Sequence, residues 1–195
     1  MTDISPKTYC AITHYVKSIL RKFDRETLPY CVLRNYEFLT EGQPYDNSDL
    51  DLLVRSRDLA RIHTILMDGG FVRTQQSTVR LHLGYAAYVA GAGRVLSLDL
   101  HLDDPSWNDV PYVAGNHILR ESIGSEPPIP CDAHTAALLV FHSILDKKSF
   151  KRKYIDILES LLRSDLDLCK VKSIFEDRVG KPLALDLTNG LKDRD

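Results

Sequence analysis

The chain has 195 residues, of which 44% are hydrophobic and 27% charged, and its formal net charge is −2 at pH 7. These values are typical of an ordinary globular protein, and the length suits one large domain or a small α/β domain with a helical appendage. The slightly acidic balance argues against a protein that coats nucleic acid.

The expected cellular compartment is inferred from features that the sequence lacks. The N-terminus has no basic region followed by an apolar core, and no apolar run approaches the roughly twenty residues that span a bilayer. The four cysteines are widely spaced, without the pairing typical of zinc fingers. We therefore expect a cytoplasmic chain with no membrane partner, whose cysteines are reduced packing residues.

The N-terminal half predicts alternating helices and strands. Apolar residues at helical spacing predict a helix over about residues 6–24, and the β-favouring run Tyr30–Leu33 predicts a buried strand. A polar loop leads to a second strand at Asp49–Val54. An amphipathic helix at Ser56–Asp68 follows and ends at the glycine pair 69–70.

A hairpin and a helical region are predicted next. Phe71-Val72 begins another strand, and the runs Val79–Ala90 and Arg94–Leu102 flank a Gly-Ala-Gly turn, which is typical of a hairpin. Beyond about residue 130 the pattern is helical only. Helices are predicted at 133–145, 154–162 and 171–179, and a frayed tail at 189–195.

The three prolines at 127, 128 and 130 mark a boundary in this pattern. We predict an α/β domain over residues 1–127 and a helical segment over residues 128–195.

Acidic residues recur in two of the predicted strands. Asp49 and Asp51 lie two residues apart, and Asp99 lies in a run where leucines alternate with polar residues. Because alternate side chains of a strand point to opposite faces, Asp49 and Asp51 leave the same face. Carboxylates are the ligands that Mg²⁺ and Mn²⁺ prefer, and a third acid on a neighbouring strand lets two ions share them. The three acids therefore predict a metal site.

The order of the elements resembles that of the nucleotidyltransferase superfamily typified by DNA polymerase beta. The resemblance covers about residues 30–102 and is closest to the minimal members and the small antibiotic- and toxin-type members. It implies an α/β fold with a mixed sheet flanked by helices and a helical C-terminal appendage.

The resemblance also implies an activity. Asp49, Asp51 and Asp99 would be catalytic and would hold Mg²⁺ or Mn²⁺ ions, while a nucleoside triphosphate passes its nucleotidyl group to a hydroxyl acceptor and releases pyrophosphate. The acceptor stays open among a small molecule, a protein side chain and an RNA end, and the acidic net charge favours the small molecule. The oligomeric state stays open as well.

The chain departs from the family where the first strand ends. The family usually has Gly-Ser or Gly-Gly there, which lets backbone amides approach the triphosphate. This chain has Arg34 and Asn35, which would supply a charged clamp and a polar cap instead. Ser48 would contact phosphate or shape the turn before the second strand.

A basic run further along the chain offers more candidates for nucleotide binding. It places five cations within residues 147–154, between two predicted helices. In minimal members of the family, basic and aromatic side chains from the later helices reach the nucleotide. Lys153 and Tyr154 are the matching residues here.

Two other interpretations stay open. The missing small pair favours a non-catalytic binding or regulatory domain that keeps the fold. Alternatively, the acids form the solvated face of a strand in an unrelated α/β protein. His101 shares a strand face with Asp99, and an ordinary polar-face role is favoured over a role in supporting the metal ligands. His82 or Arg80 would point towards the acids only if the hairpin register allowed it.

Overall fold

The computed structural model describes residues 6–40, 45, 49–74, 81–108, 110–124 and 126–192. Its strands are β1 Tyr30–Arg34, β2 Leu50–Val54, β3 Val72–Arg73, β4 His82–Val89, β5 Arg94–Leu102, β6 Ser106–Trp107 and β7 Val110–Pro111. Its helices are α1 Pro6–Arg25, α2 Glu37–Thr40, α3 Leu59–Asp68, α4 Gly115–Glu121, α5 Asp132–Phe141, α6 Arg152–Arg163, α7 Leu168–Val179 and α8 Lys181–Lys192. A π-helix, His142–Lys147, continues α5, and short 3₁₀ turns lie at Ser56–Asp58 and Ala90–Ala92.

The main sheet is mixed and has the strand order β1-β2-β5-β4-β3. Only the central pair, β2 and β5, runs parallel, while the other neighbouring pairs are antiparallel. A parallel connection needs a crossover, and α3 lies within the connection between β2 and β5. Strands β6 and β7 form a separate small hairpin.

One face of the sheet is covered by α1 and α3. Leu50 and Leu52 of β2 pack there beside Leu98 and Leu100 of β5, and all four are buried. The apolar stripe of α1 supplies the opposite side of this core, in which Phe23 has no exposed surface. Burying each such side chain contributes roughly 1.5–3 kcal/mol, which explains why the leucine alternation specifies the strand faces.

The second face is covered only in part. Cys31, Leu33 and Leu53 project from β1 and β2 into a second core. The C-terminal helices form the other side of this core. In α5, every residue from Ala133 to Phe141 is buried. The half of this face formed by β4 and β5 carries polar side chains, and a cleft opens over it.

The strands and most helices predicted from periodicity are confirmed, with differences at their ends. The second strand begins at Leu50, the hairpin strand begins at His82, and the helix predicted at 133–145 changes from α to π geometry at His142. Positions 79 and 80 of the predicted hairpin lie outside the described residues. The boundary after residue 127 stays a prediction.

Three helices were not predicted, and the first of them, α2, has only four residues. α4 is only seven residues long, and α8 contains Pro182 and Gly190, which disfavour a helix by propensity. Pro182 lies in the first turn, where proline is tolerated, and Ala184 and Leu191 are buried against the second core. The predicted frayed tail is therefore wrong for residues 189–192, and residues 193–195 lie outside the described part.

The four cysteines are free, but they are not uniformly packing residues. Cys31 is buried, whereas Cys10 and Cys169 are exposed, so the expectation is wrong for those two. Within the described ranges, no helix is both long and apolar enough to cross a lipid bilayer.

The close contact at the start of α4 supplies a test of the fold. A Cβ on Gly115 would overlap the backbone carbonyl oxygen of Asp103, so Gly115→Ala is expected to lower the free energy of unfolding by roughly 1–3 kcal/mol. Gly190→Ala is the matched control, because its Cβ would meet no atom within 4 Å, and it should stabilise α8 by about 0.5–1 kcal/mol. Urea unfolding of both variants makes the comparison, and equal effects would contradict the packing of α4 on Asp103.

Candidate active site

A cleft of about 400 Å³ lies over the uncovered half of the second sheet face. Its floor consists of polar side chains from the ends of β1, β2, β4 and β5. Its opposite wall comes from the C-terminal segment, where Lys147, Lys151, Lys153 and Tyr154 line the cleft. Acidic groups of the sheet therefore face cationic groups of the helical segment.

The three predicted acids all line this cleft. The parallel register of β2 and β5 places Asp51 directly opposite Asp99, and Asp49 precedes Asp51 by two residues on the same side of the chain. Asp51 is only 4% exposed, Asp99 is half-buried and Asp49 is exposed. The interpretation of the acids as a solvated strand face is therefore wrong for Asp51.

Arg34 reaches the acids because β1 contains a bulge. The pairing of β1 with β2 shifts between Val32 and Arg34, so that Arg34 lies opposite Asp51. In a regular strand Arg34 would share the face of Val32, which is buried in the first core; the extra residue turns it to the cleft. Arg34 Nη2 donates a hydrogen bond of 2.7 Å to Asp51 Oδ1. The result is a charge-assisted bond between two largely buried side chains.

His101 contacts the same carboxylate oxygen. Its Nε2 lies 3.1 Å from Asp51 Oδ1, and the residue is only 3% exposed, so the expectation of an ordinary polar-face residue is wrong. Burial lowers the pKa of His101 and outweighs the effect of Asp51, which leaves the ring neutral at pH 7. Because an ionised carboxylate only accepts hydrogen bonds, Nε2 must carry the proton. His101 Nδ1 is buried and has no hydrogen-bond partner among the described residues.

His82 extends this group towards Asp99. Its ring stacks on that of His101 with centroids 4.7 Å apart, and its Nε2 lies 3.2 Å from Asp99 Oδ2. Burial opposes protonation of His82, but the interaction with Asp99 outweighs it and raises the pKa of the imidazole. The hairpin register therefore does bring His82 to the acids, whereas Arg80 lies outside the described residues.

Asn35 links the acidic strand to the C-terminal wall. Its backbone φ is 58°, a left-handed conformation in which asparagine is more common than most residues. Its Nδ2 donates to the backbone oxygen of Asp49 at 2.7 Å, and its Oδ1 accepts from Lys153 Nζ at 3.1 Å. Lys153 Nζ lies 5.5 Å from the centroid of the Tyr154 ring, within cation–π range.

The charges in the cleft affect the acids in opposite directions. Burial, followed by the charges of Asp99 and Asp51, raises the pKa of Asp49. Burial also opposes ionisation of Asp51, but the charge of Arg34 and the hydrogen bond from His101 outweigh it and hold the pKa of Asp51 well below its usual range. The negative charge of Asp51 is thus balanced by Arg34 and His101, whereas Asp49 is repelled by the charges of Asp51 and Asp99.

The acids suit a hard divalent cation in their chemistry, because carboxylate oxygens are preferred ligands of Mg²⁺ and Mn²⁺. Such a cation would relieve the repulsion by Asp99 and Asp51, which adds to burial in raising the pKa of Asp49. However, no three ligand groups that include these acids bring their ligand atoms within 4.8 Å of one another in the described residues. A cation would therefore draw the carboxylates closer together.

One other group of ligand atoms does converge to within 4.8 Å, namely Glu121, Cys131 and His134. It lies at the N-terminal end of α5, whereas the cleft is reached from the opposite end. Lys170 Nζ lies 2.6 Å from Glu121 Oε2 and 3.6 Å from Cys131 Sγ. Sulfur and imidazole do not suit Mg²⁺, so this cluster does not replace the acids as a magnesium site.

The structure brings most of the predicted site residues to one cleft: Arg34, Asn35, Asp49, Asp51, Asp99, Lys153 and Tyr154 all line it. Ser48 lies outside the described residues. The roles of these residues stay predictions. Six further lining residues were not predicted, namely Ser106, Trp107, Asn108, Tyr112, His142 and Asp146. Nothing in their local sequence distinguishes them, because β6, β7 and the π-helix bring them to the cleft.

The buried ion pair gives a stability test. Arg34→Met or Asp51→Asn leaves one partner buried without its countercharge, and each should cost roughly 3–5 kcal/mol of unfolding free energy. The double variant should recover most of this loss. Glu26→Gln, which breaks an exposed pair with Arg61, is the control and should cost less than about 1 kcal/mol. Additive losses in the double variant would show that the two side chains do not interact.

Comparison with known proteins identifies the fold. No protein-family model and no curated protein sequence matches the chain. The crystal structure of ANT(2'')-Ia in complex with adenylyl-2''-tobramycin matches with a TM-score of 0.53 and 12% identity, over 85% of this chain and 95% of that one. The solution structure of the antibiotic-resistance factor ANT(2'')-Ia matches with a TM-score of 0.53 and 13% identity, over 91% and 96% of the two chains.

These matches extend from the mixed sheet into the C-terminal helices, well beyond residues 30–102, where the sequence resemblance lies. The expected mixed sheet flanked by helices, with further helices at the C-terminus, is confirmed. The chain therefore has the nucleotidyltransferase fold.

Proposed function

We propose that the chain is a metal-dependent nucleotidyltransferase, which moves a nucleotidyl group from a nucleoside triphosphate to a hydroxyl acceptor. The observation that carries this proposal is the parallel register that sets Asp51 opposite Asp99 on the floor of the cleft. The same cleft has lysines on its other wall. Acids that attract a cation and cations that attract phosphate are the two requirements of phosphoryl-group transfer.

Asp49, Asp51 and Asp99 would hold Mg²⁺ or Mn²⁺. A bound ion of this kind neutralises charge on the phosphates and makes the α-phosphorus more susceptible to attack. Asp99 would accept the proton of the attacking hydroxyl. His82 Nε2, which lies 3.2 Å from Asp99 Oδ2, would hold this carboxylate in place for that transfer.

The triphosphate would lie between the acids and the helical wall. Lys153 supports this placement, because its ammonium group is held by Asn35 at the edge of the acid cluster. Arg34 would add positive charge from the sheet, and Tyr154 would pack against the nucleotide. Ser48 is proposed as a further phosphate contact, from outside the described residues.

A small hydroxylated molecule is the acceptor that we favour. A cleft of about 400 Å³ lies within the range of small-molecule sites, roughly 300–1,000 Å³. The structure of ANT(2'')-Ia with adenylyl-2''-tobramycin shows that one protein of this fold holds a nucleotidylated small molecule. The net charge of −2 also disfavours a long RNA acceptor.

A non-catalytic binding or regulatory domain is the second candidate. One specific observation favours it: Arg34 replaces the small pair of the family and binds the most buried of the three acids. A domain of this kind would bind metal or nucleotide without turnover. Pyrophosphate release is the measurement that separates the two candidates.

Nucleotide binding tests the helical wall. With Mn²⁺ present, calorimetric titration of the four common nucleoside triphosphates should find one that binds, and Lys153→Met should weaken its binding by roughly tenfold or more through loss of a charge-assisted bond. Lys148→Met is the matched control, because Lys148 does not line the cleft. An equal loss of nucleotide affinity in both variants would show that the overall positive charge of this segment, rather than the position of Lys153, attracts the nucleotide.

Turnover tests the acids. Asp99→Asn should lower the rate of pyrophosphate release by at least about a hundredfold, because the carboxylate acts where charge develops. Asp156→Asn, an exposed acid on α6, should leave the rate unchanged. If the parent protein binds Mn²⁺ but no triphosphate at millimolar concentration, the transferase proposal fails and the non-catalytic one replaces it.

A further inference from the structure

The buried pair of Arg34 and Asp51 bears on how many cations the acids bind. The sequence predicted two ions that share three carboxylates. We infer that Arg34 takes the place of one of these cations, so that the cleft binds a single divalent ion per chain. This inference rests on the proposed metal-dependent function and specifies the metal content of the same site.

Asp51 cannot bridge two ions through its two oxygens with the contacts it makes. Its Oδ1 accepts a hydrogen bond from Arg34 Nη2 at 2.7 Å and lies 3.1 Å from the protonated Nε2 of His101. A carboxylate oxygen has two lone pairs, and these two donors use both of them. The oxygen left to a cation is Oδ2, which has only a long contact of 3.5 Å with Asn35 Nδ2.

The balance of charge in the cleft also favours a single bound divalent ion. Three carboxylates beside one guanidinium leave two negative charges while His82 is neutral, and a single divalent cation neutralises them; a protonated His82 would leave still less negative charge for a second cation. A second divalent cation would give the cluster a net positive charge, and the guanidinium would repel it across a poorly solvated site. Arginine stays protonated at any physiological pH, so Arg34 cannot become neutral when a second cation binds.

The backbone shows that the position of Arg34 is specified by the fold. The bulge between Val32 and Arg34 is what turns this side chain from the core face to the cleft. The side chain is 14% exposed, so it does not move freely between solvent and Asp51. The residues that replace the Gly-Ser or Gly-Gly pair of the family therefore contact the acid cluster and do not lie in a surface loop.

The competing view is that Arg34 forms an ordinary ion pair, which yields when two ions bind. The two views differ in the number of Mn²⁺ ions per chain. The full chain is titrated with Mn²⁺ alone, and the free ion is followed by its electron paramagnetic resonance signal. The compared proteins are the parent, Arg34→Gln, Arg34→Lys and the control Arg61→Gln, whose arginine pairs with Glu26 at the surface.

The parent, Arg34→Lys and Arg61→Gln should each bind one Mn²⁺. Arg34→Gln should bind two, with the first at least about tenfold tighter than in the parent, because the acids regain one uncompensated charge. Asp99→Asn should lose the ion of the parent, which assigns that ion to the cleft. Because Arg34→Gln leaves Asp51 unpaired, its thermal unfolding midpoint should also rise more with Mn²⁺ than the midpoint of the parent.

The outcomes separate this inference from the proposed function. Two ions in the parent would overturn the role of Arg34 and leave the metal-dependent function intact. One ion in both the parent and Arg34→Gln, with equal affinity, would also overturn that role. No ion in the parent would overturn both proposals. If Arg34→Gln fails to fold, the count in the parent still separates the two views, because the competing view requires two ions there.

Discussion

The cleft depends on the parallel pairing of β2 with β5. This pairing sets Asp51 opposite Asp99, and the same register directs the intervening leucines into the core beneath α1 and α3. A shift of either strand by one residue would move its acid into that apolar core and its leucines into the cleft, which the burial of those leucines opposes. The energy that fixes the acids therefore comes mainly from apolar packing on the other face of the sheet.

Placing like charges side by side is unfavourable unless something compensates for them. Arg34 supplies that compensation for Asp51 from the neighbouring strand, and His101 adds a hydrogen bond to the same oxygen. Asp49 lies at the solvent edge, and its pKa is raised first by partial burial and then by the charges of Asp99 and Asp51. The negative charge of the site is thus balanced at the buried Asp51 and is not balanced at Asp49, at the solvent edge. A cation or substrate that enters the cleft meets the acids at this edge.

The periodic elements could be predicted from the sequence, and the irregular ones could not. Leucine alternation around Asp99 was enough to place it on the face of Asp51, because strand faces follow from local pattern. The bulge that redirects Arg34 depends on pairing with β2, a separate strand, and no local residue signals it. The alternation also placed His101 on the face of Asp99, but its contact with Asp51 depends on the register between β2 and β5, which the local pattern does not contain. Helix α8 was missed because Gly190 and Pro182 disfavour a helix that tertiary packing nevertheless stabilises.

The π-helix His142–Lys147 allows one wall of the cleft to differ in length by a single residue. A π turn holds one residue more than an α turn, and here it brings His142 and Asp146 within 3.2 Å of each other beside the acids. Deleting one residue there would restore α geometry and leave the downstream residues in their orientation, because the π turn accommodates the extra residue locally. Diversification of this wall among related chains would therefore proceed by single-residue insertion and deletion as readily as by substitution.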